Sequence, residues 1–248
     1  NINDVSGNVS VTTSHKPVRI SSVGGNLKIE NRHDDVEVAD IAGAVDINNP
    51  GGEVSLTGIT GQVTVVNSKG DVSVSGVAGP VNLVTAFGDV NLEDLEAAVE
   101  ITARHADIKG SGFNSSVTIR GQNTEIDLED LAGDLVVETS QNPVYVLDVR
   151  GSVNIQNDLG EVVLQLQENP DADIRIESRQ GDIQLELPSQ SAFSLNARVS
   201  NGSIISEFGS PSGKDGMGDS VFKTTVGEGG PKINLLTSGS VIEIRRIQ

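Results

Sequence analysis

A small residue returns every eighteen positions: Gly7, Gly25, Gly43, Gly61, Gly79, Ala97, Ser115, Gly133 and Gly151, with no insertion or deletion between them. Counting the unit from that residue, position 3 runs Val9, Leu27, Val45, Val63, Val81, Val99, Val117, Leu135 and Val153. Position 5 is aliphatic throughout, from Val11 to Ile155, and position 12 runs from Val18 to Val162. Position 14 is aliphatic except at Gly110, and position 17 is Val23, Ile41, Ile59, Val77, Leu95, Phe113, Leu131 and Val149. The pairs 3/5 and 12/14 alternate with polar residues, the pattern of a strand with one buried face. Each unit is therefore two short strands and two bends, too short to fold alone and stable only when neighbouring units stack.

Stacking at about 4.8 Å per turn pairs the backbone between turns and superposes equivalent side chains. The fold class expected is all-β, a single-chain parallel β-solenoid. A left-handed hexapeptide helix also has eighteen residues per turn, but its apolar column recurs every six, which this one does not. Right-handed coiling follows from the crossover rule for parallel strands, and a hairpin-built sandwich would not hold a fixed period. Position 16 is Ser22, Asp40, Gly58, Gly76, Asp94, Gly112, Asp130 and Asp148, residues that tolerate left-handed backbone at tight corners. In the one irregular turn, Phe113 is expected to fill the space that Gly110 vacates.

From Gly160 the period lengthens to about twenty-one, with strands expected at 173–176 and 181–185, then at 193–195 and 202–204. Residues 209–230, rich in Gly and Ser, read as a protruding loop insertion with a short strand at Val221-Phe222. Lys232–Leu235 and Gly239–Ile244 read as the final turn. About a dozen turns would make a rod of roughly 55–65 Å. With no linker in sight, residues 1–248 read as one solenoid domain, regular over 7–162 and wider over 163–248.

Composition narrows the function. Only six residues are aromatic (five Phe, one Tyr), so Val, Ile and Leu must fill the core. Thirty-five Asp and Glu against seventeen Lys and Arg give a net charge of −18, which argues against nucleic-acid phosphates or anionic lipid as partners. The absence of Cys rules out disulfides and thiolate metal sites. No apolar run reaches the roughly 18–20 residues of a membrane helix, so direct membrane insertion is not expected. The chain opens without Met or a charged-then-apolar leader, as a processed or trimmed fragment would.

The clearest polar column is at position 11: Asp35, Glu53, Asp71, Asp89, Asp107 and Glu125, interrupted by Pro143 and resumed at Glu161. Carboxylates about 5 Å apart repel unless they fan into solvent, protonate or share a cation. They read first as solvated corner residues, and second as a metal ladder for Ca²⁺, the oxygen-seeking cofactor such a column would take. His15, His33 and His105 all fall at position 9, where bend residues are commoner than metal ligands. Catalysis has little support: no carboxylate pair is singled out, no Gly-x-Ser-x-Gly elbow occurs, and Tyr145 is the one tyrosine.

The Gly-x-Val-x-Ile turns, the widening toward the C-terminus and a closing segment from Gly229 through Ile244, with Ile233, Leu235, Ser238, Gly239 and Val241, resemble a bacterial adhesin-labelled family of short-strand β-solenoids, a domain family of unknown function. The resemblance implies an exported location, at the cell envelope or extracellular, and supplies no catalytic residues. The function expected is a non-enzymatic, structural or adhesin-like module binding a surface, a glycan or a protein partner. The alternatives are a head-to-tail filament subunit and a carbohydrate-active β-helix enzyme. End-to-end self-association would use the edge beginning at Ile2 and Val5 and an opposite end carrying Arg245 and Arg246.

Overall fold

The computed structural model describes residues 1–211 and 213–247. The described chain is all-β: parallel coils, each giving one strand to each of two sheets. No helix among the described residues is long and apolar enough to cross a membrane. Two compact units divide it, Asn1–Gln122 and Asn123–Gln248.

The first unit holds β1 (Ile2–Val5), β2 (Val9–Thr12), β3 (Val18–Val23), β4 (Leu27–Glu30), β5 (Val36–Ile41), β6 (Val45–Asn49), β7 (Val54–Ile59), β8 (Val63–Asn67), β9 (Val72–Val77), β10 (Val81–Thr85), β11 (Val90–Leu95), β12 (Val99–Arg104), β13 (Ile108–Phe113) and β14 (Val117–Gln122). Odd strands lie side by side in one sheet and even strands in the other. Val63 of β8 pairs with Val81 of β10, and Val81 with Val99 of β12, each a step of eighteen residues in parallel register. The corners continue the ladder: the Val45 amide donates to the Gln62 carbonyl and the Val63 amide to the Pro80 carbonyl, both at 2.8 Å.

The columns do what their periodicity demands. Leu27, Ile29, Val36, Val38 and Ile41, at positions 3, 5, 12, 14 and 17 of one coil, are all essentially inaccessible to solvent. The glycines serve two different needs. A Cβ at Gly61 or Gly79 would collide with the backbone of the preceding coil's glycine, so position 1 is small because coils approach closely there. Position 16 instead needs left-handed backbone, and Ser22, Asp40, Asp94, Asp130 and Asp148 adopt φ of 54–58° at it.

A sixth inward column of the coil is polar. Position 7 is Asn31, Asn49, Asn67, Thr85, Thr139 and Asn157, all buried, with Ala103 in the same column. Asn67 Nδ2 donates to the Gly70 carbonyl at 2.9 Å and to the Gly52 carbonyl at 3.2 Å, and Asn157 Nδ2 to the Asn142 carbonyl at 2.9 Å. These amides satisfy corner carbonyls that the ladder does not reach.

The second unit holds β15 (Ile126–Leu131), β16 (Leu135–Thr139), β17 (Val144–Val149), β18 (Val153–Asn157), β19 (Val162–Gln165), β20 (Ile174–Ser178), β21 (Ile183–Pro188), β22 (Phe193–Ser200), β23 (Ser203–Ser206), β24 (Gly213–Lys214), β25 (Ser220–Val226), β26 (Lys232–Ser238) and β27 (Val241–Ile247). The period does widen: Ile174 pairs with Val153 and Ile183 with Val162, twenty-one residues on.

Two expectations fail beyond that point. The short strand expected within residues 209–230, at Val221-Phe222, is present but is not part of a protruding loop: β25 runs antiparallel along β22 from Phe193↔Val226 to Val199↔Ser220, and β24 pairs with β25. Ser212 of that segment lies outside the described residues. Alternation was hidden because Phe222 is the one fully buried residue in β25. The strand covers an edge that would otherwise expose a row of unpaired amides. The chain's last coil is also not last in space. β26 lies between β20 and β22, and β27 between β21 and β23. Arg245 and Arg246 therefore belong to an internal coil, where Arg245 pairs with Glu243 at 2.8 Å and Arg246 lies 4.7 Å from the Phe208 ring centroid.

The irregular turn is as expected. Phe113 is buried, and a Cβ at Gly110 would stand 2.5 Å from its Cζ. Phe113→Ala should cost about 3–5 kcal/mol in chemical denaturation. Gly110→Ala alone should destabilise, and in a Phe113→Val background that loss should shrink or reverse; equal losses in both backgrounds would separate the two residues energetically.

Candidate functional site

The most regular polar feature of the coil is a set of side chains that accept from the backbone of the next turn. At position 2, Asn8 Oδ1 accepts from the Asn26 amide at 2.8 Å and Asn26 Oδ1 from the Ala44 amide at 3.0 Å. In the second unit Asp134 Oδ1 does the same for the Ser152 amide at 2.7 Å and also takes the Ser152 hydroxyl at 2.8 Å. At position 11, Asp35 Oδ1 accepts from the Glu53 amide at 3.0 Å and Asp71 Oδ1 from the Asp89 amide at 2.8 Å. The reason is local: at each corner an N–H points along the stack, and a short Asn or Asp one coil below reaches it.

The acidic column is thus partly a set of inter-coil caps. Asp35, Glu53, Asp71, Asp89 and Asp107 line one corner of the first unit, all exposed, while Glu125 is half-buried in the second. Among the described residues no three or more His, Cys, Asp or Glu side chains are arranged to hold a metal ion. The two hydrogen bonds from Ser152, the hydroxyl's first, hold the Asp134 carboxyl below the usual aspartate range.

Next to the acids, position 9 carries rings. His15 and His33 lie with centroids 4.8 Å apart and planes tilted by 40°, whereas His105 lies flat on Phe87 at 5.4 Å with planes 6° apart. Phe87 is 52% exposed. Round the corner, at position 6, Val66 and Val84 are in register on the outer face and are 40% and 47% exposed. Val66 and Val84 thus form an outward apolar pair, and Phe87, at the bend that follows β10, is a further exposed apolar side chain of the same coil as Val84. The signal for these residues in the sequence is that three apolar side chains stand at positions 6 and 9, which are otherwise mostly polar.

Tyr145 stands apart in the second unit, exposed on β17 and in register with Asp127 of β15. Partial burial, then the charges of Glu161, Glu125 and Asp127, push its phenol above the ordinary tyrosine range. At pH 7 it is a neutral donor in an acidic patch.

A family model described as Toastrack DUF4097 matches residues 60–240. The chain belongs to the Toastrack DUF4097 family. That description assigns no activity and carries no adhesin term. The Toastrack match takes in Val66, Val84, Phe87 and the wider coils, and leaves His15, His33, Asp35 and Glu53 in the first fifty-nine residues outside it. No curated protein and no solved structure matches the chain.

Capping makes a distinct prediction about acid. A group whose pKa is lowered on folding contributes stability above its unfolded value, and that contribution disappears as pH falls through the folded value. Asp134→Asn keeps an acceptor oxygen, as Asn8 and Asn26 do in the same column. Its melting midpoint at pH 7 should stay close to wild type and decline less steeply toward pH 3; an unchanged slope would mean that Asp134 is uncoupled from folding. For the position-11 column, capping as the sole role predicts that millimolar Ca²⁺ leaves the melting midpoint unmoved, whereas a cation ladder requires a rise.

Proposed function

We propose that this Toastrack chain is a non-enzymatic β-solenoid module, exported to the bacterial cell envelope or surface, that uses its first unit's exposed apolar side chains to hold a protein or glycan partner. The observation that carries this reading is Phe87, stacked on His105 and exposed at the bend after the outward register pair Val66 and Val84, in a chain with only six aromatic residues. Scattered exposed aliphatics need no explanation, but an in-register pair with an exposed ring is the kind of surface a binding site uses. The corner carboxylates support a non-catalytic role: Asp35, Asp71 and Asp134 accept hydrogen bonds from backbone amides of the next coil.

A filament subunit is less well supported. In one sheet β25 runs antiparallel along β22 and β24 follows it, so a second copy's coil would meet a parallel edge only at β23, the last strand of the other sheet. A carbohydrate-active enzyme draws on one observation, Tyr145 among Asp127, Glu125 and Glu161, and release of reducing sugar abolished by Tyr145→Phe would favour it.

The test uses the full chain and envelope preparations from bacterial cells. Val84→Ser with Phe87→Ser should lower retention about tenfold, the effect of losing one or two exposed anchors, and leave the melting midpoint nearly unchanged. Retention equal to wild type would remove these side chains as the contact.

A further inference from the structure

The order of coils at the end of the second unit is unusual in one respect. The chain passes from the coil of β20 and β21 to that of β22 and β23, then returns and places β26 and β27 in the level between. Neighbours across this level differ by fifty-nine residues on one side, Ile174↔Ile233 and Ile183↔Ile242, and by thirty-eight on the other, Leu195↔Ile233 and Ile204↔Ile242. The difference between the two is twenty-one, the step that already separates Val153 from Ile174 and Val162 from Ile183. Without the intervening coil, β22 would follow β20, and β23 would follow β21, in the period of the coil before.

Each corner of the flanking coils is prepared for both neighbours. Asp173 Oδ1 accepts from the Lys232 amide and Asp182 Oδ1 from the Val241 amide, both at 2.8 Å, which are the position-2 and position-11 caps of the regular coils. The residues twenty-one beyond these aspartates are Ser194 and Ser203, whose amides now donate to the carbonyls of Pro231 at 3.0 Å and Ser240 at 3.3 Å. Gly160, Gly181 and Gly202 are likewise twenty-one apart. A Cβ on Gly181 would collide with Gly160, and a Cβ on Gly202 collides with Ser240, so Gly202 has the small residue that stacking directly on Gly181 requires.

We propose that the level between the β20–β21 coil and the β22–β23 coil is a coil-binding site whose resident ligand is the chain's own segment 232–247, and that withdrawal of this segment lets β22 and β23 move down one level and close on β20 and β21. The resident coil is the better occupant. Ile233, Leu235, Ile242 and Ile244 are fully buried in it, and Thr237 Oγ1 donates to the Gly181 carbonyl at 2.8 Å, continuing the polar column after Ser178. Closure would set Ala197 over Ile176, Ser206 over Leu185 and Val199 over Ser178, with smaller apolar contacts and no hydroxyl for Gly181. An open level would expose two strand edges on each side, so a vacated site closes instead of remaining empty. The site selects a two-strand segment with aliphatic residues at those four inward positions and a hydroxyl at the fifth.

The chain contains no Cys, so introduced pairs report the stacking directly. Arg175 and Asn234 are register partners, whereas Arg175 and Asn196 are separated by β26, about two strand spacings or 9.6 Å, beyond the reach of a disulfide. Arg175→Cys with Asn234→Cys should therefore oxidise readily in the full chain, and Arg175→Cys with Asn196→Cys should not. Adding Leu235→Asp and Ile242→Asp, which expel the resident coil, should raise the 175–196 disulfide about tenfold or more, because closure brings the pair within bonding distance. A synthetic peptide of residues 231–247 should return it to background. A 175–196 disulfide that stays at background in the Asp-substituted chain overturns the proposal, whether amide exchange shows β15–β21 still protected or unravelled. A peptide without effect on a disulfide that does form overturns the assignment of the level as a binding site.

Discussion

Everything in this molecule depends on one backbone constraint: the strand amides of a coil find their acceptors on the coils above and below it. Parallel pairing at a fixed eighteen-residue step, as from Val45 to Val63 to Val81, leaves no freedom in which side chains lie above one another. A residue that suits one coil must suit its neighbours, so apolar residues collect in columns and Gly61 lies where it would otherwise strike Gly43. The same constraint explains why Asp40 and Asp94 accept left-handed backbone at φ near 55°: the corner must turn within a set number of residues or the register of both sheets is lost.

Polar groups obey the ladder too. Corners contain amides and carbonyls that strand pairing cannot reach, and an unpaired buried backbone group is expensive. The coil answers with short side chains on two levels: Asn67 and Asn157 inside, donating to corner carbonyls, and Asn8, Asp35, Asp71 and Asp134 outside, accepting from corner amides. Much of the acid that gives this chain its charge of −18 stands at corners, so acidity here is in part structural. With the corner acceptors so engaged, the outward strand positions can vary at little cost to the fold, and Val66 and Val84 stand at two of them.

The C-terminal coils show the same rule under a different topology. Asp173 and Asp182 cap residues fifty-nine positions away as readily as Asp35 caps one eighteen away, because the cap recognises an amide at a corner and not a sequence separation. In one sheet the edge is covered by β25, which runs against the direction of the other strands and so ends the parallel series there, while the other sheet ends on the parallel strand β23.

The eighteen-residue period, the inward columns, the corner residues, the widening at Gly160 and the pairing of Phe113 with Gly110 were all legible in the amino-acid sequence, because each reflects contacts between residues at one repeated spacing. The buried Asn31–Asn49–Asn67 column was also written at that spacing but reads as surface, since asparagine is usually exposed and only its place inside the coil reverses that expectation. The capping role of Asp35 and Asp71 needed the direction of a neighbouring amide, which no residue type announces. The insertion of 232–247 between earlier coils, and the antiparallel return of 220–226, were decided by tertiary structure alone. A period states which residues can stack on which, but where two segments satisfy the same period, burial of Ile233, Leu235, Ile242 and Ile244 chooses between them.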